Sequence, residues 1–296
     1  MGTIIKATGI SSDKTNKSSV YHAIEAGRLC VEAGGIENKD VDLLINVGIY
    51  RDENIGEPAM AALIQKGIGI KADYFRKQFE QAAFSFDLMN SSCGILNGIQ
   101  VADSMLKTKK AKYAMIVSSD THPSKKNDPD FPFSCVGAAM LLEYDDNDEK
   151  GFKNIIFKNS KDLDHSLKGY INLKDTDVQA TDRLTVSVPD EYNQEILEFA
   201  GNTVNDYLAL NDKDRKNLKL IAPQIHEGFG KKMADSVGIN DDSILDLYSE
   251  YGDAHSSALS MAYHLQCENG KYTNNDEILF VAAGAGLSSA CALYTV

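Results

Sequence analysis

The chain has 296 residues, of which 43% are hydrophobic and 25% charged. These are values of a globular protein with a real core, and they exclude a disordered, collagen-like or purely coiled-coil chain. Forty-three acidic against 30 basic side chains give a formal charge of −13, so unspecific binding to nucleic acid or to an anionic membrane is opposed by its leading electrostatic term.

The five cysteines are odd in number and include no CxxC pair, which fits a reducing compartment and predicts a cytoplasmic protein. The opening MGTIIKATGI is too short an apolar run for a secretion signal. From Ala26 to Val47, AGRLCVEAGGIENKDVDLLINV reads as a helix, a polar turn and an apolar strand. Phe84, Phe86 and Leu88 alternate as a strand does. Asn90-Ser91-Ser92 then form a polar elbow before a helix that opens at Cys93, with Ile95, Ile99, Ala102 and Leu106 at helical spacing. Ala114 to Val117 and Ala138 to Leu142 are apolar strands, Asp145 to Glu149 is an acidic turn, and Lys158 to Asp182 is a polar surface excursion. Pro189 sits near the start of a helix reaching about Leu210, where its missing N–H does little harm.

The second half repeats this succession. Ala200 to Pro223 is again helix, polar turn and strand. Tyr251 to Ser256 is a second elbow, Ser257 to Leu265 a second helix, and Ile278 to Val281 with Ala290 to Leu293 a second strand pair. Three correspondences in one order mark an internal duplication. Strands alternating with helices predict an α/β protein with mixed, mainly buried sheets. The expected organisation is an N-terminal half over 1–150, a connecting excursion over 151–190 and a C-terminal half over 191–296. Ile278 to Val296 carries no charge, yet Gly284 and Gly286 divide it into two buried strands and not a membrane span.

Cys93 is the leading candidate for chemistry. A thiol at a helix N-terminus lies in a field that favours thiolate, beside free N–H groups able to hold an oxyanion. Cys30, Cys135, Cys267 and Cys291 read as packing residues. His226 follows the strand from Leu218 to Ile225, where site residues of α/β sheets collect, although a structural histidine is an equal alternative. If a pseudo-twofold relates the halves, the elbows face each other and Asp253 and His255 approach Cys93. Asp253 competes as a helix N-cap, and His255 either lines the pocket as a second acid or base or caps its elbow. No HxxxH pair exists and the His22–Glu25 pair has no third ligand, so no metal site is expected. Gly284-Ala285-Gly286 is not a dinucleotide fingerprint.

Together, Asn90-Ser91-Ser92-Cys93-Gly94, Pro223-Gln224-Ile225-His226, Tyr251-Gly252-Asp253 and Gly284-Ala285-Gly286 resemble the ketoacyl synthase III family of the thiolase superfamily, over nearly the whole chain. The resemblance implies a thiolase-like duplicated five-layer α-β-α-β-α fold and a homodimer, or a heterodimer with a related synthase. It also implies a cysteine that accepts an acyl group from a coenzyme A or acyl carrier protein thioester, with no tightly bound cofactor. By position it implies Cys93 as nucleophile, His226 as catalytic histidine, and Gly286 with the Cys93 N–H as oxyanion hole. Lys231 and Lys232 take the place of a basic patch that meets the acidic carrier protein.

Two departures shape the expected reaction. Decarboxylating members have Asn where this chain has Asp253. An ionised carboxylate cannot donate to a thioester enolate and repels its charge, whereas it can orient His226 as base for an alcohol or amine attacking the acyl thioester. The primary reading is an acyltransferase (EC 2.3.1 type) of fatty acid, polyketide or other secondary metabolism. A decarboxylative synthase working through protonated Asp253, and a partner subunit of a heteromeric synthase, are the alternatives. The second departure is at the start: Lys6-Ala7-Thr8-Gly9-Ile10 reads as the tail of a lost strand and coenzyme A clamp, in a chain without tryptophan. That favours a carrier-protein donor, and an open sheet edge there would call for a partner.

Overall fold

The computed structural model describes residues 2–71, 82–125, 128–161, 166–172, 183–240 and 244–296. The first half contains β1 (Gly2–Ser11), α1 (Ser19–Gly34), β2 (Val41–Asn46), α2 (Met60–Ile68), β3 (Phe84–Asp87), α3 (Cys93–Lys107), β4 (Tyr113–Ser119) and β5 (Gly137–Asp145). The second contains β6 (Gly151–Asn159), the short pair β7 (Lys168–Tyr170) and β8 (Thr185–Ser187), α4 (Tyr192–Leu210), β9 (Leu218–Ile221), α5 (Phe229–Val237), α6 (Tyr248–Tyr251), α7 (Ala258–Glu268), β10 (Glu277–Gly284) and β11 (Ser288–Thr295). Helix α1 starts at Ser18, whose hydroxyl accepts the Tyr21 N–H, and stops at Gly35 with φ 62°, a left-handed cap that glycine takes without strain.

The large sheet runs β3-β2-β4-β5-β1-β6-β11-β10-β9. Strand β2 is parallel to β3 and β4, and β5 is antiparallel to β4 and β1. In the other half β9 is parallel to β10, and β11 is antiparallel to β10 and β6. Outward from the middle, β1-β5-β4-β2 recurs as β6-β11-β10-β9, and the halves join through the single pair Thr3–Phe152.

Three apolar cores separate five layers. Ala26, Cys30, Ile64 and Ile68 of α1 and α2 pack on Met115 and Leu141. Ile196, Val204 and Met233 of α4 and α5 pack on Leu220, Val281 and Leu293. Between the halves, Ile95 and Ile99 of α3 and Leu259 of α7 fill the space against Ile45, Ile116, Met140 and Phe280. Strand β10 serves two of these cores: Ile278, Phe280 and Ala282 face the middle layer and Leu279, Val281 and Ala283 the outer one, the two-residue alternation of a strand buried on both faces. The thiolase-like α/β architecture expected from the sequence is therefore present.

Two expectations change. Lys6-Ala7-Thr8-Gly9-Ile10 is no remnant of a lost strand. It belongs to β1, which lies mid-sheet, paired with β5 between Gly2 and Ser11 and with β6 through Thr3; the ends of the sheet are β3 and β9. Cys267 is exposed and Cys135 half-buried, unlike the buried Cys30 and Cys291, so Cys267 is not a packing residue. The uncharged C-terminal stretch forms the β10–β11 hairpin, and no helix among the described residues is long and apolar enough to cross a membrane. The excursion Lys158–Asp182 lies in part outside the described residues.

Candidate active site

Two elbows build the site. One joins β3 to α3 and the other leads into α7, and each contains a non-glycine residue with left-handed backbone: Ser91 at φ 47° and His255 at φ 46°. Such a conformation costs on the order of 1–3 kcal/mol and persists only where the surroundings impose it. Ser91 stands two residues before Cys93, and His255 two before Ser257, the corresponding place in the second half. The strained residues meet, with Ser91 Oγ 2.9 Å from His255 Nε2.

Ser92 fixes how the halves approach. Its hydroxyl does not cap α3. Instead it donates to the Ala283 carbonyl at 2.6 Å and accepts the Ala283 N–H at 2.9 Å, which ties the start of α3 to β10. Cys93, the first residue of α3, is thereby placed against the end of β10. Its Sγ is 3.8 Å from the Ser288 hydroxyl, and a Cβ on Gly284 would lie 3.4 Å from that sulfur. The backbone that approaches the thiol thus belongs to Gly284. Gly286, expected as the oxyanion donor, sits in the hairpin turn with nothing within 4 Å of its Cβ position. Cys93 is fully buried, and burial pushes its thiol up to about 12 although the Ser288 hydroxyl opposes this. A thiol in that state needs a base to remove its proton.

The histidine at the centre of the site is His255. Asp120, directly after β4, is buried and accepts the N–H groups of Ile49 and Tyr50 on Oδ1, each at 2.8 Å. Its Oδ2 accepts the Ser256 hydroxyl at 2.5 Å and faces His255 Nδ1 at 3.0 Å. A carboxylate only accepts, so Nδ1 carries the proton towards Asp120 and Nε2 is left to face Ser91. Burial alone would lower the imidazole, but the Asp120 charge outweighs it and raises His255 above its ordinary 6.5. Burial likewise works to raise Asp120, and the His255 charge overrides it, holding the carboxyl below 3.8. Phe133 stacks on the imidazole at 4.0 Å and Tyr50 lies at 5.5 Å, surroundings of low polarity that strengthen the charge interactions within.

Asp253 accepts the backbone N–H of His255 at 2.7 Å. It thus holds its own elbow and does not orient His226. Burial pushes it up to about 6, with the His255 charge opposing and Asp120 reinforcing. His226 lies elsewhere. The chain leaving β9 alternates, so that Pro223 and Ile225 line the cavity beside Asp253 and His255 while Gln224 is buried behind them. His226 is turned away, its Nδ1 2.8 Å from the Glu227 carbonyl and its ring beside Phe229. Lys231 and Lys232 are exposed on α5, with Lys231 paired to Asp235 at 3.1 Å.

The cavity itself is lined by Ser91, Ser92, Phe133, Tyr192, Asp253 and His255, among others. It measures about 20 Å³, room for one water molecule. Ser91 and Asp120 are the residues that sequence reasoning passed over. Ser91 carried a signal, since it aligns with His255 across the duplication. Asp120, at the end of a strand, carried one only in retrospect. Among the described residues no group of three His, Cys, Asp or Glu side chains stands where it would hold a metal ion.

Known proteins share both the sequence pattern and this fold. The family of 3-oxoacyl-[acyl-carrier-protein (ACP)] synthase III C-terminal regions matches residues 213–296. The chain is 24% identical over 305 aligned positions to a beta-ketoacyl-[acyl-carrier-protein] synthase III of Clostridium beijerinckii, covering 98% of this chain and 89% of the relative. It is 22% identical to the protein of the same name from Aquifex aeolicus, over 96% and 87% of the two chains. Among solved structures, FabH of Pseudomonas aeruginosa superposes with a TM-score of 0.84 at 15% identity, over 100% of this chain and 98% of its own. Xanthomonas campestris OleA, crystallised as a variant with bound lauric acid and lauroyl-CoA, gives 0.82 at 17% identity, over 100% and 99%. Similarity in sequence and in fold both extend along the whole length: the chain is similar to beta-ketoacyl-[acyl-carrier-protein] synthase III proteins and shares the fold of FabH and OleA.

Proposed function

We propose that this protein is an acyltransferase of ketoacyl synthase III type that loads an acyl group from a thioester onto Cys93 and passes it to a hydroxyl or amine, with His255 as the base. The observation that carries this reading is the meeting of the two elbows: a buried thiol at a helix N-terminus, against Gly284 of the other half, two residues after Ser91, whose hydroxyl faces a histidine oriented by a buried carboxylate. The donor is an acyl carrier protein or coenzyme A thioester, in line with what the named relatives act on and what OleA was crystallised with. On a chain of charge −13, docking of an acidic carrier rests on local cations, and the exposed Lys231 and Lys232 supply two. A second copy of the chain is the proposed partner. Edge strand β3 and the loop after it carry Phe84 and Met89, each 57% exposed, which a dimer joined along that edge would cover.

Incubation with an acyl thioester followed by intact mass measurement tests the loading step. A mass increase that neutral hydroxylamine removes, as it does thioesters, is expected for the wild type and not for Cys93→Ala. A hydroxylamine-labile adduct that survives this substitution, or none in the wild type, overturns the reading.

One observation favours a second reading, decarboxylative condensation. Burial raises Asp253 to about 6, so below that pH the side chain is a neutral acid able to donate a hydrogen bond to an enolate, as an amide would. On this reading carbon dioxide release from a malonyl thioester falls as pH rises through about 6 in the wild type and stays level in Asp253→Asn. A profile shared by both proteins, or no release at all, rejects it.

A further inference from the structure

Ser91, His255 and Asp120 stand in the order and at the spacing of a serine-hydrolase triad. Ser91 Oγ is 2.9 Å from His255 Nε2, and His255 Nδ1 is 3.0 Å from Asp120 Oδ2. Since Nδ1–H donates a hydrogen bond to the carboxylate, Nε2 holds a free lone pair, and the Ser91 hydroxyl is the group it can relieve of a proton. Ser91 sits on a strained turn at φ 47°, between a strand and a helix, and lines the cavity that Asp253 and His255 also line. Cys93, by contrast, has the Ser288 hydroxyl beside it. The base of this site is therefore aimed at the serine.

We propose that Ser91 is a second nucleophile of the site, activated by His255 and Asp120, which takes an acyl group from a thioester as an oxygen ester. Ser91 Oγ attacks the thioester carbonyl while His255 Nε2 accepts the hydroxyl proton. The new C–O bond forms, the C–S bond breaks, and His255 returns the proton to the departing thiolate, leaving acyl-Ser91 and a free thiol. Water or an alcohol, deprotonated in turn by His255, then attacks the ester carbonyl; the bond to Ser91 Oγ breaks, His255 returns the proton to that oxygen, and the acyl group leaves as acid or ester. No oxidant or metal enters the balance. The site would accordingly act as a thioesterase, or as an acyltransferase, without needing the thiol of Cys93.

This goes beyond the reading of Cys93 as nucleophile, and the two separate cleanly. The wild type and Cys93→Ala are treated with the acetyl thioester of N-acetylcysteamine and, in parallel, with a small alkyl fluorophosphonate, whose adduct with serine does not turn over. Peptide sequencing by mass spectrometry then locates each adduct. A hydroxylamine-stable acetyl group or a phosphonyl group on residue 91 in both proteins is expected. Its position is read on the wild type, so the result does not depend on how a variant folds. If all modification is hydroxylamine-labile and at Cys93, and the phosphonate marks no residue 91, the inference falls while the Cys93 reading stands. If residue 91 is marked and Cys93 never is, the reverse holds. Ser91→Ala is expected to abolish the phosphonate label, and a label of undiminished yield elsewhere in that variant also overturns the inference.

Discussion

Replacing His255 with Asn lowers thiol release from an acyl thioester by about 10²–10⁴-fold, the usual contribution of a positioned general base, whereas His226→Ala leaves it within about twofold. The contrast follows from placement. His255 is buried beside Ser91, with one ring nitrogen committed to Asp120 and the other facing the Ser91 hydroxyl. His226 is half-exposed, bonded to the backbone of its neighbour, and absent from the cavity wall. Asn preserves some of the polar contacts of the imidazole but cannot shuttle a proton at neutral pH. Thiol release measured with a chromogenic disulfide, on variants whose circular dichroism matches the wild type, decides the matter. Equal losses in the two variants, or a larger loss for His226→Ala, contradict the assignment.

Asp120→Asn is expected to lower the same activity by about 10³–10⁴-fold, the scale seen when a triad carboxylate becomes an amide, and to do so through the tautomer of His255. Oδ1 accepts two backbone N–H groups, so the oxygen of the introduced amide must stay there and its NH2 must face His255. Nδ1 then becomes an acceptor, the proton moves to Nε2, and the nitrogen facing Ser91 can no longer take one. The pH dependence carries a second signature. Acting as base requires neutral His255, and the charges around it are those of Asp120 and Asp253, with Tyr50 and Ser91 as the other polar neighbours. Wild-type activity therefore rises with pH through a midpoint above 6.5, and residual activity in the variant reaches its plateau at lower pH because the Asp120 charge is gone.

Stability gives an independent reading of the same pair. The depressed Asp120 contributes stability that is present above 3.8 and lost as pH falls through its lower folded value. The elevated His255 contributes stability present below 6.5 and lost as pH rises through its folded value. Asp120→Asn therefore loses most in the interval between, by about 3–5 kcal/mol as for other broken buried pairs. Urea unfolding at pH 5.5 and pH 9 checks this, with the wild-type advantage smaller at the higher pH.

What the sequence determined on its own was the architecture and the elbow that carries Cys93. Periodicity marked α1, α3 and the apolar strands, and the repeated order of helix, strand, elbow and helix exposed the duplication. These signals are local, or a sum of local signals in register, and each needs only nearest neighbours along the chain to be read. The mid-sheet position of β1 was lost because strand order depends on pairing with β5, more than a hundred residues away. The wall of the site was decided by contacts of the same kind. His226 and Gly286 were chosen because they stand near strand ends, but one step of side-chain alternation after β9 turns His226 outward, and the β10 ladder ends at Gly284, two residues before Gly286. Asp120 and Ser91 acquire their chemistry only when β4, the Cys93 elbow and the His255 elbow converge across separations of 135 and 164 residues. Burial on convergence is also what sets the charge states, raising Asp253 and Cys93 and locking Asp120 to His255. Which histidine serves as base, and which nucleophile it serves, is a property of packed distance and local dielectric, and neither exists before the two halves meet.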